Sequence, residues 1–106
     1  MQKWQLKMAK IDIGLNMKDT DRHEDAIKHF SDLIEEHPDD DEFYYWRGVV
    51  YRSAGRALQQ VSKCYTSERA ETYTPDQSKE FFNKSIKDFE KSLELYVGGN
   101  KKASTE

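Results

Sequence analysis

The stretch Ala26-Ile-Lys-His-Phe30 is echoed 59 positions later by Ser85-Ile-Lys-Asp-Phe89. Each copy lies within a segment whose apolar residues recur every three or four positions, which is the spacing of an amphipathic helix. Self-similarity between helix-length segments is typical of helical repeat proteins, because a single repeat cannot bury its apolar face without a neighbour. The echo therefore predicts an all-α fold of stacked antiparallel helical hairpins, and it favours protein recognition over catalysis.

Composition narrows the class of protein further. Of the 106 residues, 35% are charged and 36% are hydrophobic, which fits one helical domain with a modest core. Cys64 is the only cysteine, so no internal disulfide can form, and a reducing compartment, by default the cytoplasm, is expected. Neither the apolar core of a signal peptide nor an apolar run of membrane-spanning length is present, so we expect no membrane contact.

Charge is segregated along the chain. Residues 19–42 contain eleven acids and two bases, whereas residues 43–69 contain five bases and one acid. An acidic first half argues against a nucleic-acid clamp, which would gather its lysines and arginines along a phosphate path. Two solvated helix faces that attract each other when packed explain the same pattern.

The first predicted helix covers about residues 4–18. Its apolar residues fall on two faces. One face contains Trp4, Met8, Ile11 and Leu15, and the other contains Leu6, Ile13 and Met17. A helix with two apolar faces is expected to pack on both sides, as an inner element of a stack.

The second predicted helix covers about residues 22–37. Asp21 and Glu24 have the spacing of a capping box at its start. Pro38 stops the helix, because the residue before a proline is disfavoured in helical geometry. The inward residues are expected to be Ala26, Ile27, Phe30, Leu33 and Ile34.

The third predicted helix begins at a cap formed by Asp39 and Glu42. Apolar residues keep helical spacing beyond Gly55, which would weaken the helix by about 1 kcal/mol without ending it. The helix is therefore expected to be long and to reach as far as residue 72.

The fourth predicted helix begins at Thr74-Pro75-Asp76-Gln77, which combines a threonine cap with proline at the first helical position. It is expected to end near Val97, before Gly98-Gly99. Its buried residues are expected to be Phe81 or Phe82, Ile86, Phe89, Leu93 and Tyr96. Residues 1–99 then form one domain, and residues 100–106 form a flexible tail.

The spacing of small and large residues over positions 7–55 resembles the tetratricopeptide repeat, a helix pair of 34 residues. The residues that carry this resemblance are Gly14, Met17, Ala26, Phe30, Leu33 and Pro38, and, one repeat later, Tyr44, Gly48 and Tyr51. The last helix departs from the pattern, because Gln60 and Cys64 stand where a small and an aromatic residue are expected, whereas Ser85 and Phe89 fit. An insertion of about 25 residues, approximately 56–80, is therefore predicted in the second repeat.

The resemblance implies a groove lined by the first helix of each repeat. Its residues would be Met8, Ile11, Leu15, Glu42, Tyr45, Val49 and Arg52, with Trp46 beside them. Family members that hold the carboxylate of a chaperone's last residue use lysines and asparagines, but Ile11, Leu15 and Trp46 stand at those positions here. The groove is thus mostly apolar, and three covers remain open: a partner's peptide or helix, a second copy of the chain, or the inserted segment.

Tyr45, Trp46 and Arg52 are not required by repeat packing, and such residues dominate binding hot spots. The inserted segment adds a second candidate surface through Arg56, Lys63 and Arg69. We therefore expect a non-enzymatic adaptor, chaperone or inhibitor that binds another protein. A self-associating structural protein is the first alternative, and a nucleic-acid-associated accessory protein is the second.

Catalytic and metal-binding patterns are weak. Asp25, His29 and Asp32 have a spacing that could hold a metal ion, but in so acidic a helix such spacings arise by chance. Cys64 has no histidine placed to act as its base. We therefore expect no catalytic residues, no metal and no cofactor.

Overall fold

The computed structural model describes the backbone of residues 3–64 and 75–104 and the side chains of residues 4–58 and 77–98. These residues form four α-helices: α1 (Lys3–Asp19), α2 (His23–Glu36), α3 (Asp41–Cys64) and α4 (Pro75–Ser104). α1 packs against α2 and α3, α2 packs against α3, and α3 packs against α4. The expected all-α class of stacked helical hairpins is confirmed.

The core lies between α1, α2 and α3. Ile11, Phe30 and Val50 are fully buried at its centre. Ala26, Leu33, Ile34 and Phe43 complete the buried cluster. A fully buried side chain as large as Ile11, Phe30 or Val50 contributes about 1.5–3 kcal/mol to the free energy of folding. The inward face predicted for α2 is thus the main source of the core, with Ile27 packed at its edge.

The link between α1 and α2 differs from the predicted capping box. Asp21 adopts a positive φ of 62°, and Arg22, at the N-cap position of α2, makes no side-chain capping hydrogen bond. The backbone N–H of Arg22 instead donates to the Met17 carbonyl at 2.8 Å, and that of Asp21 donates to the Lys18 carbonyl at 3.1 Å. This is the Schellman pattern, so Asp21 ends α1 rather than starting α2.

The N-terminus of α3 is capped by Asp40 and not by Asp39. The Asp40 Oδ1 atom accepts a hydrogen bond of 3.0 Å from the backbone N–H of Glu42. Lys7 of α1 holds this cap in place, because its Nζ lies 2.9 Å from Asp40 and 3.2 Å from Glu42. Burial acts to lower the pKa of Lys7, but the hydrogen bonds and charges of the two carboxylates outweigh it, and the pKa is raised.

α3 continues through Gly55, as predicted. The lack of a side chain at this position makes room for a phenylalanine of α4. A Cβ at Gly55 would lie 3.1 Å from the Phe82 ring of α4. The predicted continuation from residue 65 to residue 72 lies outside the described residues.

The end predicted for α4 is wrong. The helix continues through Gly98 and Gly99 to Ser104. No glycine in the described part of the chain has a positive φ, so neither supplies the left-handed residue that ends many helices. Each glycine costs a helix about 1 kcal/mol, which weakens it without breaking it.

The same kind of close contact occurs within each of the two hairpins. A Cβ at Gly14 would overlap the Phe30 ring, and a Cβ at Gly48 would lie 2.9 Å from the Phe89 ring. In each hairpin a glycine of the first helix therefore allows a phenylalanine of the second helix to approach its backbone. Phe30 and Phe89 are the last residues of the echoed pentapeptides, so the echo in sequence corresponds to equivalent packing.

The burial predicted for α4 is wrong on one face. Against α3 the helix buries Ser78, Ser85, Asp88 and Ser92. Its large apolar residues Ile86, Leu93 and Tyr96 are instead exposed, and Phe81, Phe82 and Phe89 are half-buried. The cause lies in α3, which offers polar partners to the inward side chains, such as the Arg47 guanidinium for Asp88. The Ser78 hydroxyl, for example, donates to the Gly55 carbonyl at 3.0 Å.

The second apolar face predicted for α1 is only partly covered. Met17 packs against the core, whereas Leu6 and Ile13 are 49% and 52% exposed.

Candidate protein-binding surface

The structure separates the residues predicted to line the groove. Ile11 is fully buried in the core, which removes it from any exposed surface. Leu15 and Trp46 are half-buried and pack against the core. Met8 and Tyr45 are exposed, so they remain accessible to a partner.

Four predicted residues share one face of α3. Tyr45, Val49, Arg52 and Arg56 follow a spacing of four, three and four, so they form a stripe of roughly 16 Å at 1.5 Å per residue. Tyr45 is the aromatic end of this stripe. Its ring lies 4.9 Å from the Trp46 ring, edge to face, and 5.6 Å from the Phe89 ring. Neighbouring rings fix its orientation, although its outer side is exposed.

The other end of the stripe lines a cleft of about 330 Å³. We call it the basic cleft, and its walls are Lys18 of α1, His23 of α2, and Val49, Arg52, Ser53 and Arg56 of α3, closed by Asp21 and Ala57. The turn between α1 and α2 brings Lys18 and His23 to this point because Asp21 reverses the chain there.

Positive charge in the basic cleft is only partly neutralised. Lys18 forms an ion pair with Asp19 at 2.9 Å. Arg52 and Arg56 are exposed, and neither forms an ion pair with a residue that the structure describes. Because guanidinium groups pair with carboxylates in a planar two-point geometry, two neighbouring arginines can receive an acidic ligand.

His23 and Ser53 meet inside the basic cleft. The His23 Nε2 atom is hydrogen-bonded to the Ser53 hydroxyl at 3.1 Å. A histidine beside a serine is the first requirement of nucleophilic catalysis, which also needs donors for an oxyanion and a group that orients the histidine. Ser53 lies within α3, where its backbone N–H belongs to the helix, and the bond fastens α2 to α3.

Arg47 joins three helices behind the α3 stripe. Its guanidinium donates to both carboxylate oxygens of Asp88, at 2.8 Å and 2.7 Å, and to the Ser31 hydroxyl at 3.2 Å. The Tyr44 and Tyr51 rings lie 5.6 Å and 5.8 Å from it. The hydrogen bond to Asp88 raises the pKa of Arg47 despite its burial. The network sets the position of α4 relative to α2 and α3.

The residues of the weak metal pattern are engaged elsewhere. His29 Nε2 is hydrogen-bonded to the Lys10 carbonyl at 2.7 Å, Asp32 pairs with Lys28 at 3.0 Å, and Asp25 pairs with Arg22 at 3.2 Å. In the described part of the chain, no group of three or more histidine, cysteine, aspartate or glutamate residues is arranged to hold a metal ion.

Two predicted binding residues cannot be placed. Arg69 and the side chain of Lys63 lie outside the described residues, as do the backbone of residues 65–74 and the side chains of residues 59–76 of the predicted insertion. No described helix combines the length and apolar character needed to cross a membrane.

Lys18, His23 and Ser53 line the basic cleft but were not among the predicted binding residues. Lys18 could have been found, because it continues the spacing of Met8, Ile11 and Leu15 by three positions. His23 and Ser53 are 30 residues apart and carry no signal in the sequence.

The chain was also compared with known proteins. No protein-family model matches it, no curated protein is significantly similar to it, and no solved structure matches it significantly.

Proposed function

We propose that this chain is a non-enzymatic protein-interaction module, an adaptor, chaperone or inhibitor, that binds a segment of a partner protein along the α3 stripe. The observation that carries the proposal is the basic cleft, where Arg52 and Arg56 converge with Lys18 at the end of a stripe that begins at Tyr45. The resemblance to the tetratricopeptide repeat supports the same role, because that family binds peptides on the first helix of each repeat.

The chemistry of the stripe defines the partner segment. Tyr45 offers an exposed ring for an apolar or aromatic side chain, and such rings are frequent hot spots. Arg52 lies two helical turns further along, roughly 10 Å away at 1.5 Å per residue, and Arg56 follows it. An extended peptide fits this arrangement if it has an apolar residue and, about three residues further on, two or more carboxylates.

A charge-matched peptide pair tests the proposal. Fluorescent peptides with one leucine or phenylalanine and a run of glutamates are titrated with the protein, beside identical peptides carrying lysine in place of glutamate. We expect saturable binding of the acidic peptides that weakens as salt rises, because exposed ion pairs are screened. Equal affinity for both series would contradict the proposal.

Paired variants locate the binding. The double variant Arg52→Gln with Arg56→Gln is expected to weaken the acidic peptide at least tenfold, whereas Lys79→Gln, an exposed lysine of α4, should leave affinity unchanged. Tyr45→Ala should weaken peptides that carry the apolar residue and leave all-glutamate peptides unaffected. If Lys79→Gln and the arginine double variant weaken peptide binding equally, the acidic peptide does not bind at the basic cleft.

Nucleic acid is the alternative ligand for an arginine pair. Glu24 and Asp25 of α2 line a neighbouring cleft that shares Asp21 and His23 with the basic cleft. A strand with a charge at every phosphate runs on past the arginines to these carboxylates, whereas a short acidic peptide can end at the arginines. Single-stranded and duplex oligonucleotides are therefore expected to bind more weakly than the acidic peptides at the same salt concentration. Tighter oligonucleotide binding that is lost in the arginine double variant would favour the nucleic-acid role instead.

A further inference from the structure

α2 and α4 have equivalent apolar faces, but the face of α2 is buried and the face of α4 is exposed. Ile27 and Ile34 of α2 correspond to Ile86 and Leu93 of α4 in the sequence echo. Ile34 is 8% exposed in the core that α2 forms with α1 and α3, and Ile27 packs at the edge of the same core. Ile86 and Leu93 are 52% and 64% exposed, since no described helix lies where α3 lies on α2.

On α1, the face equivalent to the one that α3 packs against α2 is also exposed. Arg47 and Phe43 are residues through which α3 contacts α2, and 34 positions earlier they correspond to Ile13 and Ala9 of α1. Both α1 residues are exposed, as is Leu6 one turn away. One end of the stack thus lacks a helix of the α3 kind, and the other end lacks a helix of the α2 kind.

We propose that copies of this chain stack head to tail, with α4 of one copy packed against α1 of a second copy in the geometry of the internal α2–α3 interface. The α4 apolar face consists of Ile86, Leu93, Tyr96 and Val97, and the α1 apolar face consists of Leu6, Ala9 and Ile13. Repeat stacks need polar residues on their outermost helices to stay separate, and both outer faces here are apolar.

The charges of the two faces match in this register. Within the chain, Arg47 meets Ser31 and the Phe43 ring lies 5.8 Å from the His37 ring. The equivalent positions bring Ile13 of the second copy to Glu90 and Ala9 of the second copy to Tyr96. Lys10 of the second copy then falls within reach of Glu90 and Glu94, which flank Leu93.

These charges are available for such pairing. Lys10 and Glu90 form no ion pair with a described residue, and Glu94 makes only a long contact of 3.9 Å with Lys91. The opposite charges of Lys10 and of Glu90 and Glu94 favour α1 of a second copy over a second α4, because a pair of α4 helices would place acidic residues of both copies near each other.

Two surfaces that differ from each other give a heterologous contact, which builds open chains rather than closed dimers. Analytical ultracentrifugation between about 1 and about 300 μM should show a mass that rises steadily above the 12.5 kDa of one chain, without a plateau at the dimer. A single 12.5 kDa species over the whole range would overturn the proposal.

Complementation of two blocked variants tests the geometry. Leu93→Glu closes the α4 apolar face and Ile13→Glu closes the α1 apolar face, and both residues are exposed enough for the fold to persist, which circular dichroism checks. Each variant alone should be monomeric. Mixed in equal amounts, they should form a dimer and nothing larger, because one open α4 face meets one open α1 face.

Other outcomes overturn the head-to-tail arrangement. If Ile13→Glu alone still dimerises, α4 pairs with α4. If the mixture stays monomeric, the two faces do not meet. A charge swap gives independent support: Lys10→Glu should weaken association about tenfold, and adding Glu90→Lys with Glu94→Lys should restore it. Failure of the swap to restore association would exclude the proposed register.

Discussion

α2 and α4 carry the same pentapeptide pattern, yet they bury opposite kinds of residue. α2 buries Phe30, Leu33 and Ile34 between two neighbouring helices. α4 buries Ser85, Asp88 and Ser92 against a single helix, half-buries its phenylalanines and leaves Ile86, Leu93 and Tyr96 exposed. An amphipathic pattern therefore states which residues can be buried, whereas the number and shape of the neighbours decide which ones are.

The largest contrast is expected from a charge placed at equivalent positions of the two helices. Ile34→Glu should lower the free energy of unfolding by roughly 5 kcal/mol or abolish folding, because it buries an unpaired carboxylate. Leu93→Glu should change it by less than about 0.5 kcal/mol. Urea titration at low micromolar concentration, followed by circular dichroism, measures both. Similar losses for the two variants would show that α4 is covered in solution.

Truncation of the two echoed phenylalanines should give a smaller contrast of the same sign. Phe30→Ala removes a fully buried ring and is expected to cost about 4 kcal/mol. Phe89 is half-buried between Gly48 and Tyr45, so Phe89→Ala should cost about 2 kcal/mol. Thermal unfolding supplies the comparison, and a larger loss for Phe89→Ala would reverse our ranking of the two hairpins.

The position before each phenylalanine is polar in both helices, and here the second hairpin is the more sensitive. Asp88→Ala should cost about 2 kcal/mol, because it leaves the Arg47 guanidinium with no carboxylate partner while partly buried. His29→Ala loses one hydrogen bond, to the Lys10 carbonyl, and should cost about 1 kcal/mol. If changing Arg47 and Asp88 together to leucine restores stability, the loss in Asp88→Ala arises from the unpaired charge.

The smallest effect concerns the starts of the helices. Asp40→Ala should cost about 1 kcal/mol through loss of the α3 cap, whereas Asp39→Ala should have no measurable effect. Asp40 also raises the pKa of Lys7, so the stability gained from their pairing is present at neutral pH. It is lost as the pH rises through the raised lysine pKa, where Lys7 loses its charge.

Measuring stability against pH for the wild type and for Asp40→Ala checks this assignment. The difference between the two proteins should shrink above the ordinary lysine range. A constant difference at all pH values would assign the whole effect to the cap.

Much of the fold could be predicted from the sequence because it depends on local rules. The helical periods, the passage of α3 through Gly55 and the inward face of α2 follow from spacing and propensity. The Gly14–Phe30 and Gly48–Phe89 contacts involve residues that the repeat pattern had singled out, although it did not pair them.

The features that could not be predicted depend on contacts between distant residues. Asp40 outcompetes Asp39 as a cap because Lys7, 33 positions away, is bound to it. The small residues of α4 turn inward because Arg47 needs Asp88, which no local pattern reveals. The basic cleft depends on the turn at Asp21, whose positive φ has no signal in the sequence beyond the tolerance of aspartate for that region.

The difference in burial between the apolar faces of α2 and α4 can be measured directly by hydroxyl-radical footprinting. The monomer is labelled at low micromolar concentration, and oxidation is quantified residue by residue. We predict that Leu93 and Ile86 are oxidised much faster than Ile34, because the first two are open to solvent and the third is buried in the core. Equal protection of Leu93 and Ile34 would contradict it, since the second hairpin would then be closed in the same way as the first.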